Sequence, residues 1–142
     1  MAVTNFDEYR DVYVVADTID DVVYPVTYEL IGQARRIAKE LGQLVQVMLL
    51  GENVQAEAEE LVAHGADIVH VFESPLLKYY TTDGYTKVLT DFFEDHKPNI
   101  LLIGATNNGR DLAPRMSGRM QNGVVADCTI LTVDTAEGLV EW

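Results

Sequence analysis

Short apolar runs alternate along this chain with stretches whose apolar residues recur every three or four positions. Asp11 to Asp17 (DVYVVAD) is β-branched and apolar and predicts a first strand, followed by a loop over Thr18 to Tyr24. From Val26 to Leu41 the period turns helical, with Leu30, Ile31, Ala34, Ile37, Ala38 and Leu41 on one stripe and Gly42 as the residue that stops it. Gln43 to Leu50 predicts a second strand ended by Gly51. A second helix follows from Val54 to His64, with Ala58, Leu61 and Val62 inward and Gly65 closing it. Asp67 to Phe72 is a third strand, and Ser74 to Thr82 a linker. Asp83 then opens a helix over Gly84–His96, whose inner face is Tyr85, Val88, Leu89, Phe92 and Phe93. Ile100 to Ile103 is a continuous apolar run, short enough for a strand buried on both faces.

Past Gly123 the rhythm changes, and Cys128–Val133 with Leu139–Trp142 predict a hairpin around DTAEG. Strand and helix alternate four times with short connections, which demands parallel strands and right-handed crossovers. The expected fold is an α/β three-layer sandwich with a mostly parallel sheet and a C-terminal antiparallel hairpin. Its strands are expected at Asp11–Ala16, Val45–Leu50, Ile68–Phe72 and Ile100–Gly104. In such sheets ligands or partners meet the carboxyl ends of the strands, where strand order reverses. That rim is expected at Ala16–Asp21, Leu50–Asn53, Phe72–Leu76 and Gly104–Asp111. Leu139 to Trp142 reads as a strand that stops in mid-stride, so the 142 residues are expected to be one domain of something longer.

Charge narrows the classes of partner. The net charge of −13 argues against nucleic acid. No apolar run approaches the roughly 18 to 20 residues that span a bilayer, and the polar, acidic start MAVTNFDEYRD resembles neither a signal nor a transit peptide. The single cysteine, Cys128, fits a reducing, cytoplasmic setting.

Against that acidity, Arg110, Arg115 and Arg119 stand out, three of ten basic residues within ten positions. They follow the crossing Gly104–Gly109 (GATNNG), with Asp111 as a candidate helix cap and Pro114 placed for a first turn. The crossing lacks the Gly-Lys-Ser/Thr of a phosphate loop and the G-x-G-x-x-G of a dinucleotide site. It reads either as an anion-binding edge or as a tight strand-to-helix turn. The arginines read either as a ladder of surface ion pairs, Asp111 lying four before Arg115, or as a positive patch for a phosphate, a flavin or an acidic partner; the clustering favours the patch. His64, His70 and His96 share no metal-ligand spacing and read as structural. Asp17, Asp20 and Asp21 do not form a calcium loop and read as solvated acids. Nothing in the chain looks like an active site or a metal site.

GATNNGRDLAPRMSGRMQNGVVADCT (Gly104 to Thr129) resembles the signature of the α subunit of electron transfer flavoproteins, in which a strand ending in G-A-T precedes G-R-D-L-x-P-R and a later A-D-C-T. VYVVAD, the stretch Pro25–Gly32 (PVTYELIG), LLGENV and HGADIVHVF resemble that family's earlier elements in order. The nearest likeness is to the clostridial, flavin-bifurcating type, from which Gln121-Asn122 departs. The resemblance implies an N-terminal α/β domain of the adenine-nucleotide-hydrolase-like type, with the family's C-terminal FAD domain absent from these residues. It also implies a β subunit carrying AMP or a second FAD, dehydrogenase partners for the intact complex, FAD in the parent complex and none in this fragment. The chain is then expected to be a docking scaffold for the β subunit and no enzyme in its own right. Arg110, Arg115 and Arg119 would touch the β-side nucleotide or its domain, with Thr106, Asn107 and Asp111 shaping the loop. The rival is a stand-alone adenine-nucleotide-binding module of the universal-stress type.

Overall fold

The computed structural model describes residues 10–120, 132–134 and 139–141. Four parallel strands, β1 (Val12–Val15), β4 (Val45–Gly51), β5 (Ile68–Glu73) and β6 (Ile100–Ile103), form one sheet in the order β5-β4-β1-β6. Val12 pairs with both Val45 and Ile100, so β1 and β4 are interior strands and every residue of both is buried. Coverage on both faces is why these strands read as unbroken apolar runs rather than as alternating ones. Among the described residues β6 is an edge, and its four apolar side chains are half-buried, not enclosed as expected from sequence.

Alternate residues of the strands feed two cores. Val12, Val14, Val45, Val47 and Leu49 pack beneath α1 (Pro25–Leu41) and α2 (Gln55–Ala63). Tyr13, Val15, Met48 and Leu50 pack beneath α3 (Thr82–Asp95) and α4 (Asn107–Met120). Helices on both faces of a parallel sheet make the expected three-layer sandwich. The antiparallel pair β7 (Thr132–Asp134) and β8 (Leu139–Glu141) stands at the expected hairpin; the rest of that stretch, Cys128 included, lies outside the described residues.

Helix ends follow local chemistry. In α1, Ile31, Ala34, Ile37 and Ala38 face the core, Pro25 fills the first turn, and Gly42 terminates it at φ 67°. Burying one such isoleucine contributes about 1.5–3 kcal/mol. Two expectations are corrected. Thr81, not Asp83, caps α3, because its hydroxyl accepts the Gly84 N–H (3.3 Å). Val62 is exposed, since α2 is short and Leu61 alone is its buried anchor.

The largest departure is the stretch expected to be a loop after β1. Thr18–Ile19 (β2) and Val22–Val23 (β3) form a small antiparallel hairpin. Asp20 and Asp21 occupy its turn with φ of 49° and 64°. Two successive left-handed residues suit the twist of a two-residue hairpin, and Asp tolerates that region better than most side chains.

Candidate functional site

Strand order reverses between β1 and β6, so the topological switch point lies where Ala16–Asp17 and Gly104 leave the sheet. There the chain turns from β6 into α4, and both glycines have a steric reason. A Cβ on Gly109 would run into the Gly104 carbonyl oxygen, and one on Gly104 would press on Val26 at 3.3 Å. The GATNNG spacing therefore encodes a close strand–helix approach, which is the tight-turn reading of the crossing.

Thr106 caps α4. Its hydroxyl accepts the Gly109 N–H (3.1 Å) and donates to the Asp17 carboxylate at the end of β1. Sequence analysis assigned that cap to Asp111, which instead lies within α4 beyond its first turn, while Pro114 is interior to the helix. The helix begins earlier than expected because Thr106 carries the capping oxygen, so every later residue shifts inward. Asp17 was read as a solvated acid; it is half-buried and holds the α4 cap.

The cavity at the switch point is about 20 Å³, lined by Asp17, Thr18, Tyr80, Tyr85, Gly104 and Asn108 among others. That is room for about one water. Tyr85 lies against it with its hydroxyl donated to the Leu77 carbonyl (2.9 Å). Tyr80 donates to Asp111 (2.6 Å), and Thr82 donates to the same carboxylate oxygen. Burial, reinforced by that carboxylate, pushes the Tyr80 hydroxyl up to about 12. The hydroxyls of Thr82 and Tyr80, with a smaller contribution from Arg115, hold the Asp111 carboxyl below its ordinary value.

The arginines do not converge. Arg115 and Arg119 share a face of α4, but Arg110 is in its first turn, about 140° round the axis from Arg115 at 3.6 residues per turn. Arg115 pairs with Asp83 of α3 (3.1 Å), not with Asp111, whose Oδ2 serves Tyr80 and Thr82. All three arginines are exposed, as are Asn107 and Asp111, with Thr106 half-buried.

The other half of the rim was expected at these segments, but the bonds that join them were not. Asp21 takes the N–H of Glu52 (2.9 Å) and of Asn53 (3.1 Å), and Glu73 takes that of Val54 (2.9 Å). Three successive N–H groups before α2 are thus satisfied by the chain's own carboxylates. Gly51 leaves the space, since a Cβ there would lie 2.6 Å from an Asp21 oxygen. Bonds from Gln55 and the Val54 N–H hold the Glu73 carboxyl below its ordinary value. The sequence signal for the hairpin is weak: Asp tolerates the left-handed region, but the pair Asp-Asp lacks the glycine that marks a two-residue turn.

The histidines have local partners. His64 Nδ1 lies 2.8 Å from the Glu60 carbonyl, and His96 stacks on Phe92. His70 Nε2 meets Gln46 Oε1 at 2.6 Å, and burial, then His96, lowers its pKa. Among the described residues no three His, Cys, Asp or Glu could hold a metal ion, and no helix is long and apolar enough to cross a membrane.

The electron transfer flavoprotein domain model matches residues 12–141. Among curated relatives, the electron transfer flavoprotein subunit alpha of Megasphaera elsdenii is 44% identical over 135 residues, covering 95% of this chain and 40% of the relative. The lactate dehydrogenase (NAD(+),ferredoxin) subunit LctC of Acetobacterium woodii is 44% identical, covering 94% and 32%. The acryloyl-CoA reductase electron transfer subunit beta of Anaerotignum propionicum is 43% identical, covering 92% and 35%. The chain thus spans about a third to two fifths of the length of these relatives.

Proposed function

We propose a function from one premise: the chain belongs to the electron transfer flavoprotein family. It acts as the N-terminal scaffold domain of an α-type subunit, docking a β-type subunit in flavin-mediated electron transfer in the cytoplasm. The observation that carries this reading is the closed switch point. A nucleotide needs an open cleft and uncommitted donors there; this chain offers room for about one water, beside the carboxylate of Asp17. The residues present do not fit AMP or FAD, which disfavours a stand-alone nucleotide module of the universal-stress type. Flavin belongs to the parent complex, and AMP or a second FAD to the β subunit.

On this reading Arg115 and Arg119 face the partner or its nucleotide, Arg110 contributes from the other side of α4, and Thr106, Asn107 and Asp111 set the helix start that aims them. No side chain here breaks or makes a bond; the domain holds the flavin-bearing parts in register. The test is calorimetric titration of the purified chain with the β subunit of its complex, and separately with AMP and ATP. A stoichiometric complex with the β subunit and no nucleotide heat is expected. Stoichiometric AMP or ATP binding without β-subunit association would overturn the reading.

A further inference from the structure

We propose that the hairpin half of the carboxyl rim, built on β2–β3 and the turn after β5, is the principal docking face for that partner subunit. This rests on the docking role proposed above. The partner's contact surface has an apolar centre ringed by lysine and arginine.

Exposure is the first observation. Leu76 is 84% exposed, Tyr79 65% and Val22 57%, with Ile19 at 44%. All four stand on two excursions beyond the carboxyl ends of β1 and β5. Exposed apolar residues scattered singly are ordinary; several on one rim, among acids, mark an interaction surface.

Construction is the second. Both excursions are tied to the same loop before α2, which fixes them beside each other. Asp21 holds the hairpin to Glu52 and Asn53, and Glu57 accepts the Val23 N–H (3.1 Å). On the other side the Ser74 N–H bonds the Gly51 carbonyl (2.9 Å), and Lys78 reaches Glu52 (3.8 Å). Ser74 also caps the turn Pro75–Leu77, whose Leu77 is buried while its neighbour Leu76 is presented to solvent. Apolar side chains are held outward by backbone that is itself well bonded, so little ordering remains to be lost on binding.

Charge selects the occupant. Asp20, Glu52 and Glu73 edge this surface, and Lys78 is its local cation. An isologous contact with a second copy would set these acids against themselves. An anionic membrane surface or a free phosphate would be repelled. A protein face with basic residues round an apolar centre satisfies both features.

The test uses the full chain and its β subunit, with association followed by interferometry. Leu76→Ser with Tyr79→Ser, and separately Val22→Ser, should weaken the complex about tenfold or more. Asp20→Asn with Glu52→Gln should slow association and flatten its dependence on salt. Circular dichroism and melting of each variant control for folding; four of the five positions are exposed and Glu52 is half-buried. Affinities within twofold of wild type would overturn the inference while leaving the docking role intact. So would variants that melt early with affinity unchanged, which would mean that another part of the same chain covers the rim. So would a self-association of the α chain that only the variants lose. Failure of the wild-type chain to bind the β subunit would remove the functional reading and this inference together.

Discussion

The two halves of the carboxyl rim solve one problem with opposite chemistry. Each carries a strand that turns into a helix, leaving N–H groups to be satisfied. Before α2 the donors are met by carboxylates, Asp21 from the β2–β3 turn and Glu73 from the end of β5. At α4 the donor is met by the helix's own Thr106, and the borrowed acid, Asp17, only supports that hydroxyl. The hairpin half is thereby cross-linked over long sequence distance and left acidic and apolar outside. The α4 half meets its helix donor locally, is tied to Asp17, Tyr80 and Thr82 through hydroxyls, is sealed by glycine against glycine, and is left with arginines outside. A rim of this fold class need not be a ligand cleft; here its anion-seeking groups are engaged internally, and its outward chemistry is that of a surface.

Glycine substitutions should separate the halves most sharply. At Gly109 a methyl meets backbone, so Gly109→Ala is expected to cost about 3 kcal/mol or more in urea unfolding. At Gly51 the methyl meets the Asp21 and Val54 side chains, which can yield, and the cost should be about 1–2 kcal/mol. Gly118, in the same helix as Gly109, has open space around it, and Gly118→Ala should stabilise by about 0.5–1 kcal/mol. Equal losses at Gly109 and Gly51 would erase the distinction.

Cap removal is the next effect in size. Asp21→Ala strands two N–H groups and should cost about 1–2 kcal/mol; Thr106→Ala strands one and should cost about 1 kcal/mol. A larger loss at Thr106 would place the stability of the rim in the α4 half.

Acid titration gives a third contrast. Glu73 and Asp111, one from each half, have folded pKa values below their unfolded values of about 4.5 and 3.8. Each therefore contributes stability in full above its unfolded value and loses it as pH falls through the lowered folded one. Glu73→Gln and Asp111→Asn should each flatten the acid limb of a stability–pH curve measured below about pH 4.5. His70 is lowered from 6.5, so the fold favours its deprotonated form, here the neutral one; its share is lost as pH falls below 6.5 through the lowered value. His70→Gln should remove that higher-pH portion alone.

What was legible in the sequence follows the same division. Periodicity located the four sheet strands and the first three helices to within a few residues, because each buries an apolar face of fixed period; the fourth helix, placed from a cap and a proline, begins earlier than expected. The G-A-T-N-N-G turn was legible for a steric reason that glycine alone satisfies. Long-range polar contacts were not: nothing near Asp17 announces Thr106, and nothing near Asp21 announces the N–H groups of residues 52 and 53. Helix phase was also hidden. Moving the α4 cap from Asp111 to Thr106 carried Arg110 onto the helix and away from Arg115, so three clustered cations became two plus one. Arg115 marks the smallest expected effect. Its pair with Asp83 is exposed at both ends, so Arg115→Ala should change stability by less than about 0.5 kcal/mol.

Amide hydrogen exchange of the full chain, alone and saturated with the β subunit, tests the docking rim most directly. The expected result is slowed exchange on binding across residues 18–24, 51–54 and 74–81, with the amino ends of the sheet strands unchanged. Saturated binding with exchange across those three segments as fast as in the free chain would contradict it.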